Sequence, residues 1–284
     1  MMNQLKAKKQ IETFLIEDLG ERDLSSMIFE TTKQVKGSFV AKETGIFVGT
    51  CILKWVFELL GGNVEVNLKK QDGEQVVKGD IIAEVTGNVQ SLLSGERVIL
   101  NLIGRMSGIA TLTHVAINSL DDATIKICDT RKTMPGLRLF DKYAVTCGGG
   151  SNHRFGLYDA VMLKDNHIAS AGGIEQAVCL AKSKVGHTIK IEVETETVQQ
   201  VKEAVMAGAD IIMFDNCPPE EIKKRIKLVP DTIVTEASGG ITLENLSAFK
   251  GCGVHYISLG FITHSAGVLD ISFNIEGGVK VWTS

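Results

Sequence analysis

The first apolar positions recur at a helical interval. Ile11, Phe14 and Leu15 mark an amphipathic helix that stops near EDLGERD, where Gly20 and its charged neighbours break the stripe. Gly37 to Val48 reads as strand, and Cys51 to Leu60 as a helix closed by Gly61 and Gly62, glycine being the usual residue just past a helix C-terminus. The alternating, glycine-punctuated stretch NVEVNLKKQDGEQVVKGDIIAEVTG predicts a small antiparallel β unit. Ser94 reads as the N-cap of a long helix whose stripe runs through Val98, Ile99, Leu102, Met106 and Ile109. That start places Arg97 in the first turn, where the helix dipole disfavours a cation by a few tenths of a kcal/mol. Some partner for it is expected, whether a neighbour one turn on or a surface contact.

From about residue 112 the texture becomes strand then helix, repeated. Candidate strands are Thr124 to Cys128, Ala160 to Leu163, Thr188 to Val193, Asp210 to Phe214, Thr232 to Thr235 and His255 to Ser258. Helical patterns fill the gaps, notably Gly173 to Lys184, Thr197 to Ala207 and Pro219 to Leu228. Six such units predict an α/β chain with a C-terminal parallel β/α barrel, complete or incomplete, and a smaller N-terminal α+β domain. An open doubly wound sheet is the alternative, but no GxGxxG follows the first of these strands. The expected division is 1–112 for the N-terminal domain, 113–268 for the barrel, and 269–284 for a segment packing back on the N-terminal domain.

Composition narrows the class. A chain of 284 residues and 30.7 kDa can bury a large core, and a net charge of −4 gives no global attraction to nucleic acid or anionic membrane. Any anion site must be local. Six cysteines without a CxxC pair argue against zinc or an iron–sulfur cluster and for reduced thiols, hence a cytoplasmic setting. The N-terminal MMNQLKAKKQ has no apolar signal core, and no run reads as a bilayer span. The hairpin-like β unit invites comparison with biotinyl or lipoyl carriers but offers no lysine at a tip between two apolar arms.

The chemistry sits where strands end. Arg131–Lys132 and Lys164–Asp165–Asn166–His167 follow short apolar runs, and His153–Arg154 follows the Gly148–Gly150 triplet. In order, the strand ends deliver Arg131 and Lys132, Lys164, Glu194, Asp215, Ser238–Gly239–Gly240 and Ser258–Leu259–Gly260. In a β/α barrel all of these converge on one face. The glycine loops after the last two strands suit a phosphate held by backbone N–H groups. His264 could add a donor or simply cap and pack, and Glu194 and Asp215 could be ligands or structural ion partners of the cations. A site of this kind fits a polyanion with two phosphate ends plus a small acidic partner. Its carboxylates suit sugar hydroxyls or a hydrated Mg²⁺.

DTRKT, GGGSNHRFGLYD and LKDNHI, together with EDLG near the start and ITHSAGVLDIS near the end, closely resemble the motifs of the quinolinate phosphoribosyltransferases, the decarboxylating nicotinate-nucleotide pyrophosphorylases. The resemblance implies transfer of phosphoribose from phosphoribosyl pyrophosphate to quinolinate with loss of CO2, a step of NAD biosynthesis requiring Mg²⁺. It implies a homodimer in which Arg97 of one subunit joins Thr130, Arg131, His153, Arg154 and Lys164 of the other around quinolinate. Lys132 then lies toward the pyrophosphate. Glu194 and Asp215 hold ribose hydroxyls directly or through the metal, and Ser238–Gly240 and Ser258–Gly260, with His264, hold the 5′-phosphate. Lys132, Lys164, Glu194 and Asp215 form the catalytic set. Three departures stand out: Arg22 where the family commonly has glycine, Gly104 where glutamine is frequent, and no lysine soon after His264. The rivals are a molybdate-transport-associated relative of the same fold and a non-catalytic sugar-phosphate binding protein.

Overall fold

A computed structural model describes residues 2–61 and 63–276. In chain order its helices and strands are α1 (Gln4–Leu19), β1 (Gln34–Ala41), β2 (Gly45–Ile46), α2 (Thr50–Leu60), β3 (Glu65–Leu68), β4 (Gln75–Val76), β5 (Ile81–Asn88) and α3 (Val89–Leu120). There follow β6 (Lys126–Cys128), α4 (Arg138–Cys147), β7 (Val161–Leu163), α5 (Asp165–Ala171), α6 (Ile174–Lys184), β8 (Ile191–Thr195) and α7 (Val198–Ala207). The chain continues with β9 (Ile211–Asp215), α8 (Pro219–Arg225), β10 (Val234–Ser238), β11 (Tyr256–Ser258), α9 (Phe261–His264) and β12 (Ile271–Ile275). Of the described residues, one compact unit comprises 2–61, 63–112, 134–149 and 266–276; the other comprises Thr113–Thr133 and Gly150–Ser265. The stretch 134–149, expected within the barrel, clusters with the first unit. Of the expected C-terminal segment 269–284, residues 277–284 lie outside the described ones.

The first unit is built on an antiparallel sheet in the order β12-β1-β5-β3. Along β1 and β5 buried positions alternate with more exposed ones, as expected of a sheet with one face on a core. Phe39 of β1 and Phe273 of β12 meet directly across it, ring centroids 4.7 Å apart. The expected Ser94 cap is overturned, because α3 starts at Val89. Asn88 caps it by accepting the Gln90 and Ser91 N–H groups at 2.9 and 3.2 Å, while the Ser94 hydroxyl donates to Asp23 at 2.9 Å. Arg97 thus lies beyond the first turn, and the dipole argument for a compensating partner falls with the cap.

Helix α3 is apolar and long enough to cross a bilayer by length and composition, but 61% of its most apolar window is buried within the protein. Ile99, Ile103, Met106 and Ile109 are fully buried core residues. On the same helix, a Cβ on Gly108 would lie 1.8 Å from the Gly267 carbonyl oxygen, and one on Gly104 would lie 2.7 Å from Val268. The Gly104 carbonyl also accepts the Leu269 N–H at 3.0 Å. A side chain at 104 would therefore have to displace Val268 of segment 267–269.

In the second unit six parallel strands run in the order β6-β11-β10-β9-β8-β7. Helices follow most of them, as their flanking sequence dictates: Thr197 and Gln200 form a capping box at α7, and Pro219 opens α8. Strand pairing does not close the ring. Instead residues 151–154 span its open seam. Ser151 donates its N–H to Ile127 O at 2.8 Å and accepts the Asp129 N–H at 3.2 Å on the β6 side. On the β7 side the Arg154 guanidinium donates to Ala160 O at 3.0 Å.

Candidate active site

Because the six strands are parallel, their C-terminal ends open on one rim, and the second unit holds every site residue expected from the sequence except Arg97. Arg97 is exposed on the α3 part of the first unit. Its neighbour Glu96 is held above the usual carboxylate range by burial, an effect the Arg97 charge offsets in part.

Several loops are tied pairwise around the rim. The Thr263 hydroxyl donates to Lys132 O at 2.9 Å, and Leu259 N–H to Cys128 O at 2.9 Å, so the DTRKT and SLGF loops are tied to each other. Gly260 lies against both Lys132 and His264, since a Cβ there would be 3.1 and 3.2 Å from them. Asn216 N–H donates to Ser238 O at 2.9 Å, and its side-chain amide to Asp215 at 2.8 Å. Gly239, with φ +83°, is pressed so close to Asn216 that a Cβ would stand 2.4 Å from its side-chain oxygen. Only glycine fits that approach, which leaves the Ser238–Gly240 backbone open to a ligand.

The charges form two groups. The Lys164 ammonium is paired with the Glu194 carboxylate. Burial raises the Glu194 pKa, Lys164 opposes this, and the nearby Asp215 and Glu192 carboxylates add to it. Arg131 and Arg154 lie close enough that, after burial, Arg131 is the largest influence lowering the Arg154 pKa. Two guanidiniums near enough to repel each other suit a ligand with more than one anionic group. The Lys132 N–H is held by the Thr130 hydroxyl at 3.0 Å.

Beneath this rim lies a cluster not expected from the motifs. Glu192 and Glu236 are 1% and 5% exposed, and His153 Nε2 sits 3.3 Å from one and 3.5 Å from the other. His153 Nδ1 accepts the Arg154 backbone N–H at 2.7 Å, which leaves the ring proton on Nε2, facing the two carboxylates. The Glu236 pKa is raised, first by burial and then by Glu192, with His153 opposing. The signal was present in the period-2 pattern: Glu192 shares a strand face with Glu194, and Glu236 with Ser238. His153, Glu192 and Glu236 could hold a metal by position, their ligand atoms lying within 4.8 Å of one another, but a proton on Nε2 blocks the nitrogen that would coordinate.

Residues 23–107 match the N-terminal domain, and residues 109–274 the C-terminal domain, of the family described as quinolinate phosphoribosyl transferase. The chain belongs to the quinolinate phosphoribosyl transferase family. Its relatives include the probable nicotinate-nucleotide pyrophosphorylase (carboxylating) of Bacillus subtilis, 56% identical over 96% of this chain and 95% of that one. The fold is that of the NadC crystal structure from Streptococcus pyogenes, with TM-score 0.93, 41% identity, and coverage of 96% and 97%. The Francisella tularensis nicotinate-nucleotide pyrophosphorylase structure matches with TM-score 0.92 at 35% identity, covering 97% and 98%. Membership makes this phosphoribosyltransferase family's chemistry the frame for the rim of basic and acidic residues.

Proposed function

We propose that this chain catalyses the reaction of quinolinate with phosphoribosyl pyrophosphate to give nicotinate mononucleotide, pyrophosphate and CO2, a step of NAD biosynthesis. The observation that carries the reading is the juxtaposition, on one barrel rim, of Arg131, Arg154 and Lys164 with Glu194 and Asp215. The cations suit a dicarboxylate and the acids suit a ribose. Arg131 and Arg154 would take the two quinolinate carboxylates, with Lys164 beside them and Lys132 toward the leaving pyrophosphate. The Ser238–Gly240 and Ser258–Gly260 backbones, with His264, would take the 5′-phosphate.

Cleavage of the C1′–oxygen bond moves an electron pair onto pyrophosphate and leaves positive charge on the sugar. Fixed cations at the leaving oxygen and carboxylates beneath the ribose stabilise that separation. The quinolinate nitrogen supplies the pair that forms the new C1′–N bond and becomes a pyridinium. The adjacent carboxylate then leaves as CO2, and the remaining pair on the ring carbon, stabilised by the pyridinium, takes up a proton.

Glu194 and Asp215 offer hard oxygen donors close enough to repel each other, a set that fits a hydrated Mg²⁺. When bound there, the ion would neutralise pyrophosphate charge during bond cleavage. We further place the active form as a homodimer that exchanges Arg97 across its two-fold axis, and the enzyme in the cytoplasm, in keeping with six free thiols. Incubation with quinolinate, phosphoribosyl pyrophosphate and Mg²⁺, with product identification by mass, tests the reading. Equimolar CO2 and nicotinate mononucleotide are expected, with activity lost on chelation. Formation of neither product would overturn it.

A further inference from the structure

Asp129 is fully buried at the end of β6, two residues before Arg131. Its two carboxylate oxygens are both directed at the loop that carries His153 and Arg154. Oδ1 accepts the His153 backbone N–H at 2.8 Å, and Oδ2 accepts the Asn152 side-chain amide at 2.6 Å. The Asp129 N–H meanwhile donates to Ser151 O at 3.2 Å. One residue thus fastens the seam-spanning segment to the strand whose loop presents Arg131. The far end of the same segment is held by Arg154 on Ala160 O of the β7 side.

Such an arrangement is a spacer between two guanidiniums. Arg131 follows Asp129 along its own loop, and Arg154 follows the clamped His153 along the facing one. A shift of the clamp changes the distance between two groups that must meet two neighbouring carboxylates of one ring. Charge-assisted hydrogen bonds to a buried carboxylate are strong and geometrically strict, and a displacement of about 1 Å in a substrate clamp is enough to cost orders of magnitude.

We propose that Asp129 is a positioning residue that sets the Arg131–Arg154 separation, and with it the selectivity for a vicinal dicarboxylate over a monocarboxylate. The inference rests on the quinolinate reading. Asp129 itself touches no substrate; it acts through the two arginines.

The test is a reciprocal exchange. Asp129→Asn keeps an acceptor for the His153 N–H but turns an amide N–H toward the Asn152 amide, setting donor against donor. Asp129→Asn with Asn152→Asp restores the hydrogen bond in the opposite sense with the same atoms. The single variant is expected to raise the KM for quinolinate about tenfold or more, leave the KM for phosphoribosyl pyrophosphate within about twofold, and narrow the preference for quinolinate over nicotinate. The double variant is expected to recover most of the loss. Asn152→Ala, which removes one of the two bonds, carries the same test at smaller amplitude should Asp129→Asn fail to fold. Quinolinate binding is measured by calorimetry alongside. Wild-type protein that binds no quinolinate would sink the functional reading itself. Wild-type binding with an unchanged quinolinate KM in the folded single variants, or an exchange that rescues nothing, would overturn the positioning role alone.

Discussion

Glu236→Gln separates the electrostatics of the barrel floor from its packing. The native carboxyl is 5% exposed beside a second buried carboxylate, and its pKa is pushed from 4.5 to about 7 by burial and by Glu192. A carboxyl whose folded pKa lies above its unfolded value binds its proton more tightly in the folded protein. Its stabilising contribution is therefore complete below about pH 4.5 and is lost as pH rises through about 7. At about 1.4 kcal/mol per pH unit, that interval carries about 3 kcal/mol. Glutamine has nearly the same shape and no charge at any of these pH values. The stability of Glu236→Gln relative to wild type is thus expected to rise by about 3 kcal/mol between pH 4.5 and pH 8. Urea unfolding of both proteins at several pH values across that span, followed by circular dichroism, measures it, and the subtraction removes groups that titrate alike in both. A difference that stays flat would show that the Glu236 pKa is not raised, and the account of the Glu192–His153–Glu236 cluster would be wrong.

Three further outcomes are expected. Lys164→Ala or Arg131→Ala should lower kcat/KM by about two decades or more, equivalent to about 3 kcal/mol of transition-state stabilisation; His114→Ala, on the exposed face of α3, should not, and steady-state kinetics on folded proteins decides. Nicotinate should be turned over negligibly, because a site for two carboxylates leaves a cation unpaired when one is missing; comparable kcat/KM values for nicotinate and quinolinate would refute the assignment. Arg97→Ala and Lys164→Ala subunits, each nearly inactive, should recover about a quarter of wild-type activity on random remixing, since about half the dimers are mixed and each has one intact site. Subunit exchange confirmed by native mass spectrometry without recovered activity would place Arg97 outside the partner's site.

The rim of the barrel was legible because parallel strands deliver successive charged residues to one end, and a linear list of strand ends already names the group. Six strands and three of the helices between them fall close to their expected positions for the same reason: buried β-branched runs and glycine or threonine punctuation are local signals. Ser94 has the chemistry of a cap, yet the apolar Val89, Leu92 and Leu93 let the helix begin at Val89, directly after its Asn88 cap, without any break. The importance of Glu192 and Glu236 arises from two non-adjacent strands meeting His153 of the seam-spanning loop, and each alone looks like an ordinary polar residue in alternation. The Asp129 clamp is similarly invisible in sequence: a motif shows the letter but not that its oxygens accept from the Asn152 amide and the His153 N–H. The membership of 134–149 in the first unit depends on partners distant in sequence, including the Asp141 carboxylate gripped by Arg105 in paired bonds of 2.8 Å.

Strand β12 completes the first unit's sheet by pairing with β1 from Gly37–Ile275 through Ala41–Ile271, and the glycines of α3 receive residues 267–269. A ribosome makes β1 early and β12 only after the whole second unit. During synthesis, then, one side of β1 stays an unpaired edge and one groove of α3 stays empty while the whole second unit emerges. Open edges of this kind pair readily with foreign strands. A nascent chain stalled before residue 266 would carry nearly all of its catalytic rim and still present a sticky sheet, so truncation from the C-terminus should be punished by aggregation well before any rim residue is lost.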